Sequence, residues 1–257
     1  MNNANEPGQP PTTELAPADW SKDLLVPSTA LAIGAHPDDI EFGAGGTLAK
    51  WAAAGCEIHH LVLTDGSKGT WDADADTSAL VARRKNEQML AHRLLGGHGS
   101  LTMLGAVDGE LIADLSMRSA VARIIREVRP EVVLAHDPWK RYRLHPDHRE
   151  AGRIACDAIV AARDPHFHRE HRLDPHRPQH LLLWEADVPD HVEDISATIA
   201  SKLNALHAHE SQFESTMKAV DPEGLRVFDD RITTRARELG SPHGLGAAEL
   251  FHRMSDL

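Results

Sequence analysis

Short apolar, β-rich runs alternate along the chain with longer stretches in which apolar residues recur at helical spacing. The short runs at 30–35, 57–64, 100–104, 131–135 and 180–184 read as strands, and the stretches at 46–54, 77–95, 115–128, 148–162, 195–209 and 231–239 read as helices. Strand and helix in alternation imply parallel strands joined by crossover helices. The expected fold is therefore α/β, a three-layer αβα Rossmann-like domain with a mostly parallel sheet. The expected division is a flexible N-terminal arm over 1–22, polar and proline-rich, and a single domain over 23–257. Residues 163–179 (RDPHFHREHRLDPHRPQ) break the periodicity. Their four histidines raise a second metal site, but their irregular Arg and Pro company favours a solvated loop bordering the main site.

A chain of 257 residues can bury one large core. Its net charge of −12 argues against nucleic acid as a partner, because phosphate binding needs clustered Lys and Arg. Cys56 and Cys156 lie in apolar helical stretches without CxxC spacing, so a disulfide framework is not expected and a reducing cytoplasm fits best. The first twenty residues lack the basic start and apolar block of a secretory signal. No apolar run approaches the roughly 20 residues that span a bilayer. A cytoplasmic protein without membrane or nucleic-acid partners is expected, with homo-oligomerisation left open.

The polar residues that end these runs carry the chemistry. His36, Asp38 and Asp39 (AHPDD) follow the first strand, and His145, Asp147 and His148 (HPDH) follow the fourth. In an open parallel sheet ligands gather outside the carboxyl ends of the strands, and Asp65, Asp108 and His136 fall on that same edge. His145 and His148, three apart at a helix start, share a face, and Pro37 and Pro146 fix the backbone just before an Asp. Imidazole mixed with carboxylate suits Zn2+ or Fe2+ better than Mg2+ or Ca2+. Two imidazoles, one carboxylate and an open position make a catalytic site. Either tetrapeptide alone is explained better by helix capping; both at one sheet edge reverse that preference toward the metal reading. Arg84 and Glu87 are either a surface i,i+3 pair or a substrate contact. Asp65 reads as a brace and His136 as a supporting residue. His209, Ser211 and Gln212 read as a polar cluster beneath the site, and Trp71 and Trp139 as packing or sugar-stacking residues.

The motifs AHPDDIEFGAGGTLAKW and PEVVLAHDPWKRYRLHPDHR resemble those of the LmbE-like, or PIG-L, N-acetylglucosaminyl deacetylases. That group includes the mycothiol and bacillithiol biosynthetic deacetylases and the mycothiol-conjugate amidase. TDGSKGT, the RxxE of Arg84 and Glu87, VDGEL at 107–111 and HESQ at 209–212 support the likeness, which runs over 31–212. The resemblance implies that His36, Asp39 and His148 bind the metal, zinc or alternatively Fe2+. It implies Asp38 as general base, His145 as general acid with Asp147 orienting it, and Arg84 and Asp108 near sugar hydroxyls. Relatives that place a tyrosine on the oxyanion carry it two residues before the acid His. Here Arg143 stands there and Tyr142 one place earlier, so that role is not carried over.

The implied function is zinc-dependent hydrolysis of an N-acyl group, N-acetyl above all, from a small amino-sugar conjugate. The alternatives are a mycothiol-conjugate-type amidase and a non-haem iron oxidoreductase, since two His and a carboxylate also make an iron facial triad. The oxidoreductase reading fits poorly with alternating strands and helices, because such sites are commonly built on jelly rolls. A sugar-binding protein without catalysis is the third reading, and no residue favours it.

Overall fold

Alternate residues of the second strand point to opposite sides of one sheet, and each side has its own core. Leu31 and Ile33 join Leu61, Leu63 and Val133 on one face, and Ala30 and Ala32 join Ile58, Val62 and Leu134 on the other. Both faces are covered, which is why these strands read as near-continuous apolar runs. The computed structural model describes residues 20–257. Its strands are β1 (Ser21–Lys22), β2 (Thr29–Gly34), β3 (Glu57–Thr64), β4 (Leu101–Ala106), β5 (Val132–His136), β6 (His180–Trp184), β7 (His191–Asp194) and β8 (Ala248–Ser255). They form one sheet in the order β1-β7-β8-β6-β5-β2-β3-β4, parallel except where β8 runs antiparallel between β6 and β7. The helices are α1 (Asp39–Ala53), α2 (Thr77–Leu94), α3 (Leu115–Val128), α4 (Pro146–Arg163), α5 (Ile199–His207) and α6 (Pro222–Gly240). Residues of α3 and α4 fill the first core and those of α1 and α5 the second, giving the three layers expected of a Rossmann-like fold.

After β2 the chain builds outward through β3 and β4, then crosses back to place β5 on the other side of β2. This reversal is the topological switch point where open α/β sheets hold their ligands.

Four differences from expectation have physical causes. Ser21 and Lys22, expected in the loose arm, pair in parallel with His191 and Val192; residues 1–19 of that arm lie outside the described residues. The strands β7 and β8 went unread because buried polar residues interrupt their apolar positions: His191 and Glu193 of β7 are both fully buried and bonded to each other at 2.9 Å, and Glu249 of β8 is buried too. Helix α1 starts at Asp39, not residue 46, because its glycines serve close packing. A Cβ on Gly43 would lie 2.5 Å from the Trp184 ring, and one on Gly46 2.8 Å from Ile195. Residues 163–179 do not border the site. They link the end of α4 to the start of β6, at the opposite edge of the sheet, where Arg126 binds their carbonyls.

Candidate active site

The chain leaves β2 at His36 and enters α1 at Asp39, and between them Asp38 takes a left-handed backbone with φ of 100°. For a non-glycine residue this costs on the order of 1–3 kcal/mol, so the surroundings must hold it. Helix α2 does so. Gln88 Oε1 accepts from the Asp38 amide at 3.0 Å, and Arg84 donates to Pro37 O at 2.6 Å and Gly66 O at 3.0 Å. Asp38 heads α1 and His145 heads α4, yet neither side chain caps its helix. Both line a cavity of about 620 Å3 instead, so capping does not explain either tetrapeptide.

His36, Asp39 and His148 meet on its floor. Asp39 Oδ2 lies 3.3 Å from His36 Nδ1 and Asp39 Oδ1 lies 3.3 Å from His148 Nε2. The His145 ring stacks on His148 with centroids 4.8 Å apart and meets His36 edge-on at 4.5 Å. Arg84 and Asp108 line the same cavity, as does Trp71, while Trp139 stands outside it.

Asp147 departs from its expected part. It is fully buried, and rather than orienting His145 it accepts from the Gly109 and Leu111 amides at 2.6 and 3.2 Å and contacts His36 Nε2 at 3.1 Å. Asp108 Oδ1 reaches the same nitrogen at 3.2 Å. Glu87 does not pair with Arg84; it binds Arg83 at 2.9 Å and the Ser211 hydroxyl at 2.5 Å. Asp65 is a brace, accepting from the amides of Ser67 and Asp108.

Three residues matter more than their sequence context suggested. The Trp184 indole N–H donates to His136 Nδ1 at 3.0 Å. The His136 proton must then sit on Nε2, which lies 3.2 Å from Asp39 Oδ2, so this ring aims Asp39 and has no lone pair there for a metal. Arg143 likewise donates to His148 Nδ1 at 3.1 Å, but it also holds Glu185 and so has a second partner. His148 Nε2 can bind a metal once the ring proton moves to Nδ1 and that bond to Arg143 breaks. Tyr142 is 88% exposed and takes no part in the cavity. Beneath the floor, Gln88 Nε2 donates to Glu41 at 2.8 Å and His209 Nε2 lies 3.3 Å from the same carboxylate, as expected for a buried polar cluster.

The charges explain the protonation pattern. Burial opposes a charge on His36, yet bonds to Asp108, Asp147 and Asp39 outweigh it and push the ring up to about 12. Burial raises the Asp38 carboxyl to about 6, with Arg84 opposing and Asp39 adding. Burial also works against ionised Asp39, but His148 and His136 hold it well below the usual carboxylate range. His145 is pushed down by burial and by the neighbouring His36 and His148.

Asp38, Asp39, Asp108 and Asp147 are each at most 9% exposed, and the cavity residues facing them bring one buried permanent cation, Arg84, with Lys68 half exposed at the rim. Such an excess of buried negative charge calls for a cation. The mixed nitrogen and oxygen donors fit a divalent metal, which would take the place of the proton on His36. A larger concavity of about 780 Å3 between α2 and β4 is lined by Lys85, His92 and Arg93 without a carboxylate, and so lacks the mixed carboxylate and imidazole donors of the first.

Fold and site together define an α/β enzyme with a carboxylate and imidazole centre at the switch point of its sheet. The chain belongs to the PIG-L family, whose model, PIG-L: GlcNAc-PI de-N-acetylase, matches residues 31–159. It is 38% identical over 186 residues to the diacetylchitobiose deacetylase of Thermococcus kodakarensis, 71% of this chain and 69% of that one. It is 34% identical over 164 residues to the 1D-myo-inositol 2-acetamido-2-deoxy-alpha-D-glucopyranoside deacetylase of Streptomyces avermitilis, matching 54% of this chain and 55% of that protein, about half its length. Among solved structures it is similar to N,N'-diacetylchitobiose deacetylase from Pyrococcus horikoshii, with a TM-score of 0.81, 30% identity, and coverage of 89% and 84% of the two chains.

Proposed function

We propose that this protein hydrolyses the N-acetyl amide of a small amino-sugar conjugate, using a zinc ion held by His36, Asp39 and His148. The observation that carries the proposal is Asp38: strained, buried, free of any capping bond, and facing a cavity beside that triad. When bound, the cation polarises the amide carbonyl and makes water acidic enough to react near neutral pH. Asp38 is the base. At about 6 its carboxyl is ionised at neutral pH yet basic enough to take a proton from the attacking water. His145 is the acid that gives a proton to the departing amine, a proton it must first take up because burial and the neighbouring His36 and His148 lower its affinity for one. Asp147 holds His36 and His136 holds Asp39. Arg84 and Asp108 face the sugar hydroxyls from the wall. Trp71, 79% exposed on that wall, offers an apolar face to a sugar ring.

The relatives' substrates are amino sugars carrying an N-acetyl group, and this supports the same class here. No described helix is long and apolar enough to cross a membrane; a cytoplasmic location is part of the proposal. Acetate release from N,N'-diacetylchitobiose and from N-acetylglucosaminyl-inositol, measured with zinc-loaded and metal-stripped protein, tests the reading. Release from either that stops on stripping and returns with zinc is expected. Release unaffected by stripping, or oxygen uptake with Fe2+ and no acetate, overturns it. Cleavage of mycothiol conjugates alone would assign the amidase alternative.

A further inference from the structure

The connection between α4 and β6 contains a second group of metal-binding side chains on the far edge of the sheet from the cavity. His168, Glu170 and His171 surround a single 3-10 turn, Arg169–His171, and can each offer a donor atom within 4.8 Å of the others. His168 Nδ1 lies 3.2 Å from Glu170 Oε1, and the two imidazoles stack 5.1 Å apart. His168 Nε2 and His171 Nδ1 are buried and have no hydrogen-bond partner, although most buried polar atoms have one. The other nitrogen of His171 contacts the Ser119 hydroxyl of α3 at 2.9 Å, which fixes the ring.

The backbone beneath is already rigid. The Arg126 guanidinium donates to the carbonyls of Ala161, Ala162, Asp164, Phe167 and His168 at 2.9 to 3.2 Å. Arg118 lies over the Phe167 ring at 5.2 Å. His168 and Arg172, at φ of 47° and 53°, turn the chain on either side. An ion binding there would have little chain left to order. Arg126 opposes a cation nearby, but its charge is shared among five carbonyl oxygens, and Glu170 brings a carboxylate on an exposed, movable side chain.

We propose that His168, Glu170 and His171 form a second zinc site that ties the α4–β6 connection to α3. Two imidazoles and a carboxylate, with water completing the shell, are a donor set for a borderline divalent ion. The site is independent of the proposed chemistry.

Zinc alone, titrated into metal-stripped full-length protein and counted after gel filtration, tests it. Two equivalents are expected in the wild type and one in His171→Ala, with acetate release unchanged. His171→Cys, which supplies a thiolate, should restore the second equivalent. His168→Asn serves if His171→Ala does not fold. Equal zinc content in wild type and both variants would overturn the site. A single wild-type equivalent lost in His36→Ala would overturn it too, whereas one that survives in His36→Ala and disappears in His171→Ala would support it and count against the catalytic zinc.

Discussion

A single carboxylate, Asp147, decides how His36 is presented. It is fully buried, takes two backbone amides from the loop after β4, and meets His36 Nε2. Removing its charge should loosen the metal rather than disable proton transfer, because carboxylates behind a ligand typically contribute about 10–100-fold in affinity. Asp147→Asn is therefore expected to weaken zinc binding by about that factor, with kcat at saturating zinc largely retained. Zinc affinity equal to wild type with kcat collapsed would return Asp147 to the role of orienting His145. At this scale the residues that gather at the cavity were legible because HPDD and HPDH are local in sequence. The partners of those residues were not. Trp184 reaches His136 across a contact between neighbouring strands, 48 residues apart in the chain, which no spacing in the sequence encodes.

Helix α1 begins at Asp39, the proposed ligand, directly after Asp38, the proposed base, and its position depends on two contacts. Gly43 lets Trp184 approach, and Trp184 in turn holds His136. Gly43→Ala should cost about 1–3 kcal/mol by overpacking and lower zinc affinity through His136; unaltered urea unfolding and zinc binding would refute that coupling. Glu249 of β8 accepts from the Gly46 and Thr47 amides and from Lys202 Nζ at 2.6 Å, all buried. Glu249→Gln leaves the Lys202 charge without its partner, and a loss of roughly 3–5 kcal/mol in urea denaturation is expected. A loss within error of zero would mean that α1 is held by packing alone. The strands β2, β3, β5 and β6 were readable from apolar runs. Those of β7 and β8 were hidden by internal polar networks, and the early start of α1 was hidden by glycines whose use becomes visible only against Trp184 and Ile195.

Across the whole molecule, the alternation of strand and helix was enough to foresee a sheet edge collecting His36, Asp65, Asp108 and His136, and the switch between β2 and β5 gives that edge its cleft. Stability should carry the mark of the histidines buried behind it. Burial drives His60 down to about 3, Glu41 opposing, from 6.5 in a free chain. Between those values the unfolded chain binds a proton that the folded protein refuses, so stability is full above 6.5 and declines as pH falls toward 3. At one pKa unit per ~1.4 kcal/mol, this group alone removes about 2 kcal/mol by roughly pH 5. His60→Gln should flatten the fall of Tm between about pH 7 and about pH 5; parallel profiles for variant and wild type would show that the ring does not titrate this way.

The central claim is that Asp38 acts as a base next to a zinc centre that it does not itself build. Steady-state acetate release from N,N'-diacetylchitobiose by Asp38→Asn, with zinc content measured on the same sample, tests this most directly. Zinc content equal to wild type, KM little changed, and kcat lower by about 10²–10⁴-fold, the usual contribution of a positioned base, are expected. A variant that keeps wild-type kcat, or one that loses activity only because it no longer holds zinc, would contradict it.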